Sequence, residues 1–240
     1  MQTKYKRFWA AALATVMVLS ALGACTKEAD KKKDSAVSKS DSQPVSSVWE
    51  VKEDLKAGQH VIFGSYEQDN NTDNGAEPIE WRILDVQDDK ALLLSEYLLD
   101  GRKYNEKAWE NVTWETCTLR TWLNEEFYKT AFSPDEQAKI AVTSFDTYED
   151  KLFLLDKEQA EVYFSDKIDR RGVATEYAIA QGVIKNENGA SHWWLSSSSY
   201  AGYHADIISR GGSINQYGSR THDDWVGVRP AMWVNWQRAE

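Results

Sequence analysis

The chain has 240 residues and a formal net charge of −10, with 42% hydrophobic and 28% charged residues. An acidic balance excludes nonspecific nucleic-acid binding, which needs lysines and arginines against phosphates, and it disfavours lying flat on an anionic membrane. The length suits one well-packed domain and is short for a two-lobed binding protein.

The N-terminus carries Lys4, Lys6 and Arg7, then an uncharged and mostly apolar run from Phe8 to Leu22. That is the layout of an export signal. The run is short for a bilayer span, which takes about 20 residues. It closes on Leu22-Gly23-Ala24-Cys25, and with this ending it resembles a bacterial lipoprotein signal. The resemblance implies cleavage after Ala24, a diacylglycerol thioether on Cys25, and a protein anchored to a bacterial membrane facing outside the cytoplasm. Two acyl chains meet the requirement for stable anchoring. A membrane-spanning anchor and an ordinary secretory signal are the alternatives.

Residues 25–47 are rich in Ser, Lys and Asp, with one Gln and one Pro, and Val37 and Val45 are their only large apolar residues. Such a segment cannot offset its chain entropy by burial, so it reads as a disordered tether. The chain thus divides into a signal (1–24), a lipidated cysteine with its linker (25–47) and an extracytoplasmic domain (48–240). Removing Lys4, Lys6 and Arg7 takes the charge from −10 to −13, and the domain itself carries about −14. Lipidation of Cys25 leaves Cys117 without a partner, and Cys117 reads as a buried, inert thiol.

Within the domain, His60–Tyr66, Ile79–Val86 and Ala91–Ser95 read as strands, with Asp88-Asp89 in the tight turn between the last two. Leu119, Trp122, Leu123 and Phe127 recur at helical spacing. Ser133-Pro134-Asp135-Glu136 and Asp156-Lys157-Glu158-Gln159 are helix starts, and Thr175 caps a short helix ending near Gly182. Strands return at His192–Leu195, at Ala205–Ile208 and Ser213–Asn215 around an Arg210-Gly211-Gly212 turn, and from Val226 to Val234. Strands, then helices, then strands indicate a single α+β domain with small antiparallel sheets flanked by helices.

Several segments then occur in one order: Phe63-Gly64-Ser65-Tyr66, Pro78-Ile79-Glu80-Trp81, Thr118–Asn124, Phe153-Leu154-Leu155, Trp193-Trp194-Leu195 and Gly227–Trp233. Together they resemble the bacterial domain of unknown function 6273 family, over roughly residues 60–235. That family usually carries Arg after Trp-Trp-Leu, and Ser196 stands there in this chain. The closing pattern also resembles C-type-lectin-like folds, including the formylglycine-generating branch. This second resemblance implies that the first and last strands meet.

Three chemistries are open to these residues. Asp69, Asn71, Asp73 and Glu80 fall at positions 1, 3, 5 and 12 of an EF-hand-like calcium loop. However, Asn74 occupies the glycine position, and the flanks read as strands. Ten tryptophans in the domain offer either core volume or sugar-stacking faces. Trp122 and Trp233 read as core. Alternation along a strand should bury one of Trp193 and Trp194 and expose the other. The expected ligand face is Trp194, Tyr200, Tyr203, His204, Tyr217, Arg220, His222, Asp223 and Trp225, with Asp224 nearby. Catalysis finds little support. The four histidines lack metal spacing, the Ser196–Ser199 run is no nucleophile elbow, and formylglycine chemistry would need a cysteine pair. The favoured reading is a binding domain for a glycan or a protein, with no cofactor and no metal. A scaffold lipoprotein is the second reading, and a hydrolase or oxidase the third.

Overall fold

A computed structural model describes residues 55–236. The signal, Cys25 and the linker lie outside the described residues. Three strands open the domain: β1 (His60–Tyr66), β2 (Glu77–Gln87) and β3 (Lys90–Ser95). Short β4 (Tyr97–Leu98) and β5 (Asp100–Gly101) follow. A 3-10 turn (Trp114–Thr116) leads into α1 (Thr118–Trp122), a π-helical turn (Leu123–Phe127), α2 (Tyr128–Ala131) and α3 (Pro134–Gln137). Then come β6 (Ile140–Ala141), β7 (Thr143–Ser144), β8 (Glu149–Asp150), α4 (Lys157–Tyr163), β9 (Gly172–Ala174) and α5 (Glu176–Ala180). The last strands are β10 (Ala190–Ser191), β11 (Trp193–Ser198), β12 (His204–Ile208), β13 (Ile214–Arg220), β14 (Gly227–Val228) and β15 (Ala231–Asn235).

The helix starts form as their caps dictate. Ser133 and Glu136 close a reciprocal capping box, as do Asp156 and Gln159. Thr175 Oγ1 accepts from the Ala178 amide, and Gly182 ends the segment at φ 114°. Each cap satisfies amides that would otherwise be orphaned.

Two five-stranded sheets dominate. The first runs β1-β2-β3-β15-β6 and is antiparallel throughout. The second runs β13-β12-β11-β14-β5, with β11 and β14 parallel. Smaller sheets are β10-β9-β4 and β7-β8. The α+β reading holds.

The expected strand from Val226 to Val234 is two strands in two sheets. Val228 pairs with Asp100 in the second sheet, whereas Ala231 pairs with Leu94 in the first. Proline cannot donate to a ladder, so the chain changes sheets at Arg229-Pro230. Arg229, 1% exposed, fixes this crossing. Its Nε donates to Ser95 O at 2.9 Å and its Nη2 to Glu96 O at 3.2 Å, with the guanidinium 5.2 Å from the Trp193 ring. Burial lowers its pKa to about 10.

Trp193 and Trp194 are both 0% exposed, which corrects the expectation that one faces solvent. The second sheet is covered on both sides here, with α4 and the Trp114–Thr116 turn packed on β11. Trp193 Nε1 donates to Arg170 O and Trp194 Nε1 to Arg102 O. β15 joins the first sheet between β3 and β6, so the last strand sits two strands in from β1 instead of beside it. Cys117 is buried, and desolvation pushes its thiol up to about 12, so it is inert at neutral pH.

Candidate functional site

A cleft of about 1200 Å³ opens on the second sheet. Its floor is built by a break in strand register around Asp206. On one side, Trp194 pairs with Ile207 and Ser198 with Ala205, so three residues of β11 face Asp206 alone. On the other, Asn215 pairs with Ile207 and Ser219 with Ala205, so Gln216, Tyr217 and Gly218 face it too. Bulges re-aim side chains and interrupt pairing. Two flanking one residue open the sheet where Asp206 sits. Gly218 makes the return of β13 feasible. Its φ is 63°, and a Cβ there would lie 2.2 Å from Ala205 O.

Asp206 lines this cleft and is 3% exposed, and its buried Oδ1 has no hydrogen-bond partner. Desolvation raises its pKa from 3.8 to about 6, against the opposing charge of Lys157. A buried carboxylate normally accepts several hydrogen bonds. This one leaves Oδ1 without a partner in a residue that lines the cleft.

The walls come from three elements. Lys157 and Glu158 stand at the start of α4, locked to β11 because the Lys157 amide donates to Ser197 Oγ at 2.7 Å. Ser198, Ser199 and Tyr200 form the second wall, and Asn215, Gln216 and Tyr217 the third. Ser199 Oγ donates to Gln216 O at 2.6 Å and ties these two walls together. Tyr200 and Tyr217 project, 93% and 80% exposed. Among the described residues the Lys157 ammonium forms no ion pair.

The sequence-predicted face therefore divides. Tyr200 and Tyr217 belong to the cleft. Tyr203, His204, Arg220 and His222 gather instead around Trp109. Its ring lies 5.5 Å from Tyr203 and 4.9 Å from His222, and the Arg220 guanidinium is 5.6 Å from its centroid. The Tyr203 and His204 rings are 4.9 Å apart, and His204 Nδ1 lies 2.9 Å from Tyr217 O. Trp109 is 61% exposed, with φ at 64°. A bulky side chain in the left-handed region is strained by about 1–3 kcal/mol.

Three predicted residues leave the face. Trp194 is sealed in the core and offers no ring to a ligand. Asp223 spends Oδ2 on Ser219 Oγ (2.6 Å) and the Arg220 amide (3.0 Å), closing its turn. Trp225 packs half-buried against His192, at 5.2 Å, and neither lines the cleft nor touches Trp109. Asp206, Lys157 and Trp109 are not among the residues that the sequence singles out for the face. The signals for the first two were indirect: an acid inside an apolar run, and a lysine in a capping motif.

The EF-hand-like set does not converge. Glu80 turns to His60, at 2.6 Å, and the Asp69 carboxylate accepts from the Asn71 amide and from Asn74 Nδ2. Glu67, Asp69 and Glu77 do bring carboxylate oxygens within 4.8 Å of one another. Glu67 accepts from the Asn71 amide and Glu77 from the Gln68 amide, so these carboxylates already serve the loop.

Residues 88–236 match the model of a family described as domain of unknown function (DUF6273). The chain belongs to the DUF6273 family. No curated protein and no solved structure matches it. β1 and β2 lie before the DUF6273 match and complete the first sheet. The segments that carry the DUF6273 resemblance are scaffold. Asn124 accepts from the Lys151 and Leu152 amides and donates to Leu152 O. Phe153 pairs with Ala231 of the first sheet, while Leu155 O accepts from Ser196 of the second. Ser196 gives its carbonyl to the Tyr104 hydroxyl.

Proposed function

We propose that this protein is a lipid-anchored extracytoplasmic binding domain that takes a glycan in the Asp206 cleft. The carrying observation is the buried, unpartnered Asp206 carboxylate at the base of a hydroxyl- and amide-rich cleft with two exposed tyrosines. Hydroxyl groups of a sugar supply the donors that Asp206 lacks. Tyr200 and Tyr217 offer faces to sugar C–H surfaces. The volume exceeds the ~300–1000 Å³ usual for single small ligands and suits several linked rings. The lipoprotein-like N-terminus supports an outward-facing location, where glycans are abundant.

The test is a glycan array probed with the full chain in a detergent that contains no sugar. The expected result is binding to a defined set of glycans, weakened about tenfold by joint Tyr200→Ala and Tyr217→Ala substitution with the melting temperature unchanged. A folded protein that binds no glycan overturns the reading.

The Trp109 cluster favours a second reading, a protein-docking surface on a scaffold lipoprotein. Trp, Tyr and Arg are the residue types that dominate interface energetics. Crosslinking in intact cells, with and without Trp109→Ala, separates this reading from the first.

A further inference from the structure

The cleft holds two charged groups of opposite sign that find no direct partner among the described residues. Asp206, when ionised, only accepts hydrogen bonds, and Lys157 only donates them. Both line the same cleft, and Lys157 is the charge that acts on Asp206. No hydrogen bond joins them, so each keeps capacity for a ligand atom.

This pairing discriminates among sugar substituents. A free ammonium is attracted by Asp206 and repelled by Lys157. A carboxylate or phosphate is attracted by Lys157 and repelled by Asp206 and by Glu158 at the cleft wall. A neutral group that carries a donor and an acceptor side by side satisfies both residues and suffers neither repulsion. A secondary amide is such a group, with its N–H and C=O pointing in opposite directions. Hydrogen bonds to charged partners are the strong class, and the buried position of Asp206 keeps water from competing.

We infer that the ligand is an oligosaccharide of N-acylated amino sugars, whose amide N–H meets Asp206 and whose amide C=O meets Lys157; this rests on the reading of the cleft as a glycan site. The ring faces then fall to Tyr200 and Tyr217, and the hydroxyls to Ser199, Asn215 and Gln216. The amide sets the preference among sugars, while the tyrosines and the polar wall provide affinity common to all of them.

Isothermal titration of the full chain in sugar-free detergent tests this with three tetrasaccharides of one linkage: N-acetylglucosamine, glucosamine and glucose. The acetylated tetramer is expected to bind at least about tenfold tighter than either of the others. Asp206→Asn and Lys157→Met should each reduce that preference to within about threefold, with a cooperative thermal melt showing that each variant is folded. Equal binding of all three tetramers, or a preference that survives both substitutions, overturns the amide assignment and leaves the glycan reading standing. Failure of all three to bind a folded protein overturns the assignment together with the reading beneath it.

Discussion

The carboxyl of Asp206 titrates near pH 6 because burial removes the water that would stabilise its charge, and Lys157 only partly compensates. The sign of the consequence is fixed by linkage. The folded-state pKa is raised above the unfolded value, so between about pH 4 and pH 6 the folded state holds more proton than the unfolded one. Stability from this group is therefore greatest at acid pH and declines as pH rises through that window. At neutral pH, ionised Asp206 costs on the order of 3 kcal/mol, since its pKa is raised by about two units and each is worth about 1.4 kcal/mol. Asp206→Asn should accordingly raise the melting temperature at pH 7.5 by roughly 6–12 °C and flatten the difference between melts at pH 4.5 and 7.5. A lower melting temperature would show a structural role for the carboxylate instead. A group that weakens the fold and faces a cleft is the pattern of a binding residue. Tyr104, Glu158 and Asp156 surround the same region, but each is common to wild type and variant, so the comparison isolates Asp206.

The helix caps show which residue properties can be read in advance. Ser133, Asp156 and Thr175 act on amides three residues away, so the linear sequence contains both partners. Asp206 is the opposite case. Its burial and its missing partner arise from bulges in β11 and β13, and both bulges depend on register with a neighbouring strand. Alternation exposed one ring of the Trp193-Trp194 pair only on the assumption of a half-covered sheet, and α4 together with the Trp114–Thr116 turn removes that assumption.

At the scale of elements, the Arg229-Pro230 crossing joins the two main sheets. The Arg229 fork donates to carbonyls of Ser95, Glu96 and Arg171, at 2.9, 3.2 and 3.5 Å, and these lie at the edges of different elements. A lysine ammonium cannot span that fan of acceptors. Arg229→Lys should therefore cost about 2–4 kcal/mol, the penalty for orphaning buried carbonyls, measured by urea unfolding. A cost within error of zero would show that water replaces the fork. The sequence marked Gly227–Trp233 as a family signature, yet its role is architectural. The other signature segments within residues 88–236 behave alike and are silent about the ligand, whereas residues 63–66 and 78–81 lie before the family match. The clustering around Trp109 was hidden for a related reason, since it unites residues 109, 203, 220 and 222 from separate loops and strands.

For the molecule as a whole, the anchor and the cleft are separable in the chain. The proposed lipid sits on Cys25, and the first described residue is Leu55. Cys25→Ser should shift the protein from the membrane fraction to the soluble fraction, with glycan affinity unchanged. A variant that stays in the membrane fraction would favour the membrane-spanning alternative for residues 8–22. The acidic domain, at about −14, gives the membrane surface no reason to hold it by charge.

The crossing at Pro230 also sets an order of events in biosynthesis. β14 fills the place between β11 and β5, and β15 the place between β3 and β6. These are interior positions, and each is filled by the strand that comes last in the order of its own sheet. The second sheet cannot close until residue 228 has emerged, nor the first until residue 235, so β3 keeps an open edge while the intervening elements are made. Contacts of such long sequence separation form slowly. Each main sheet is therefore completed from within by a late strand, and closing the domain waits on both.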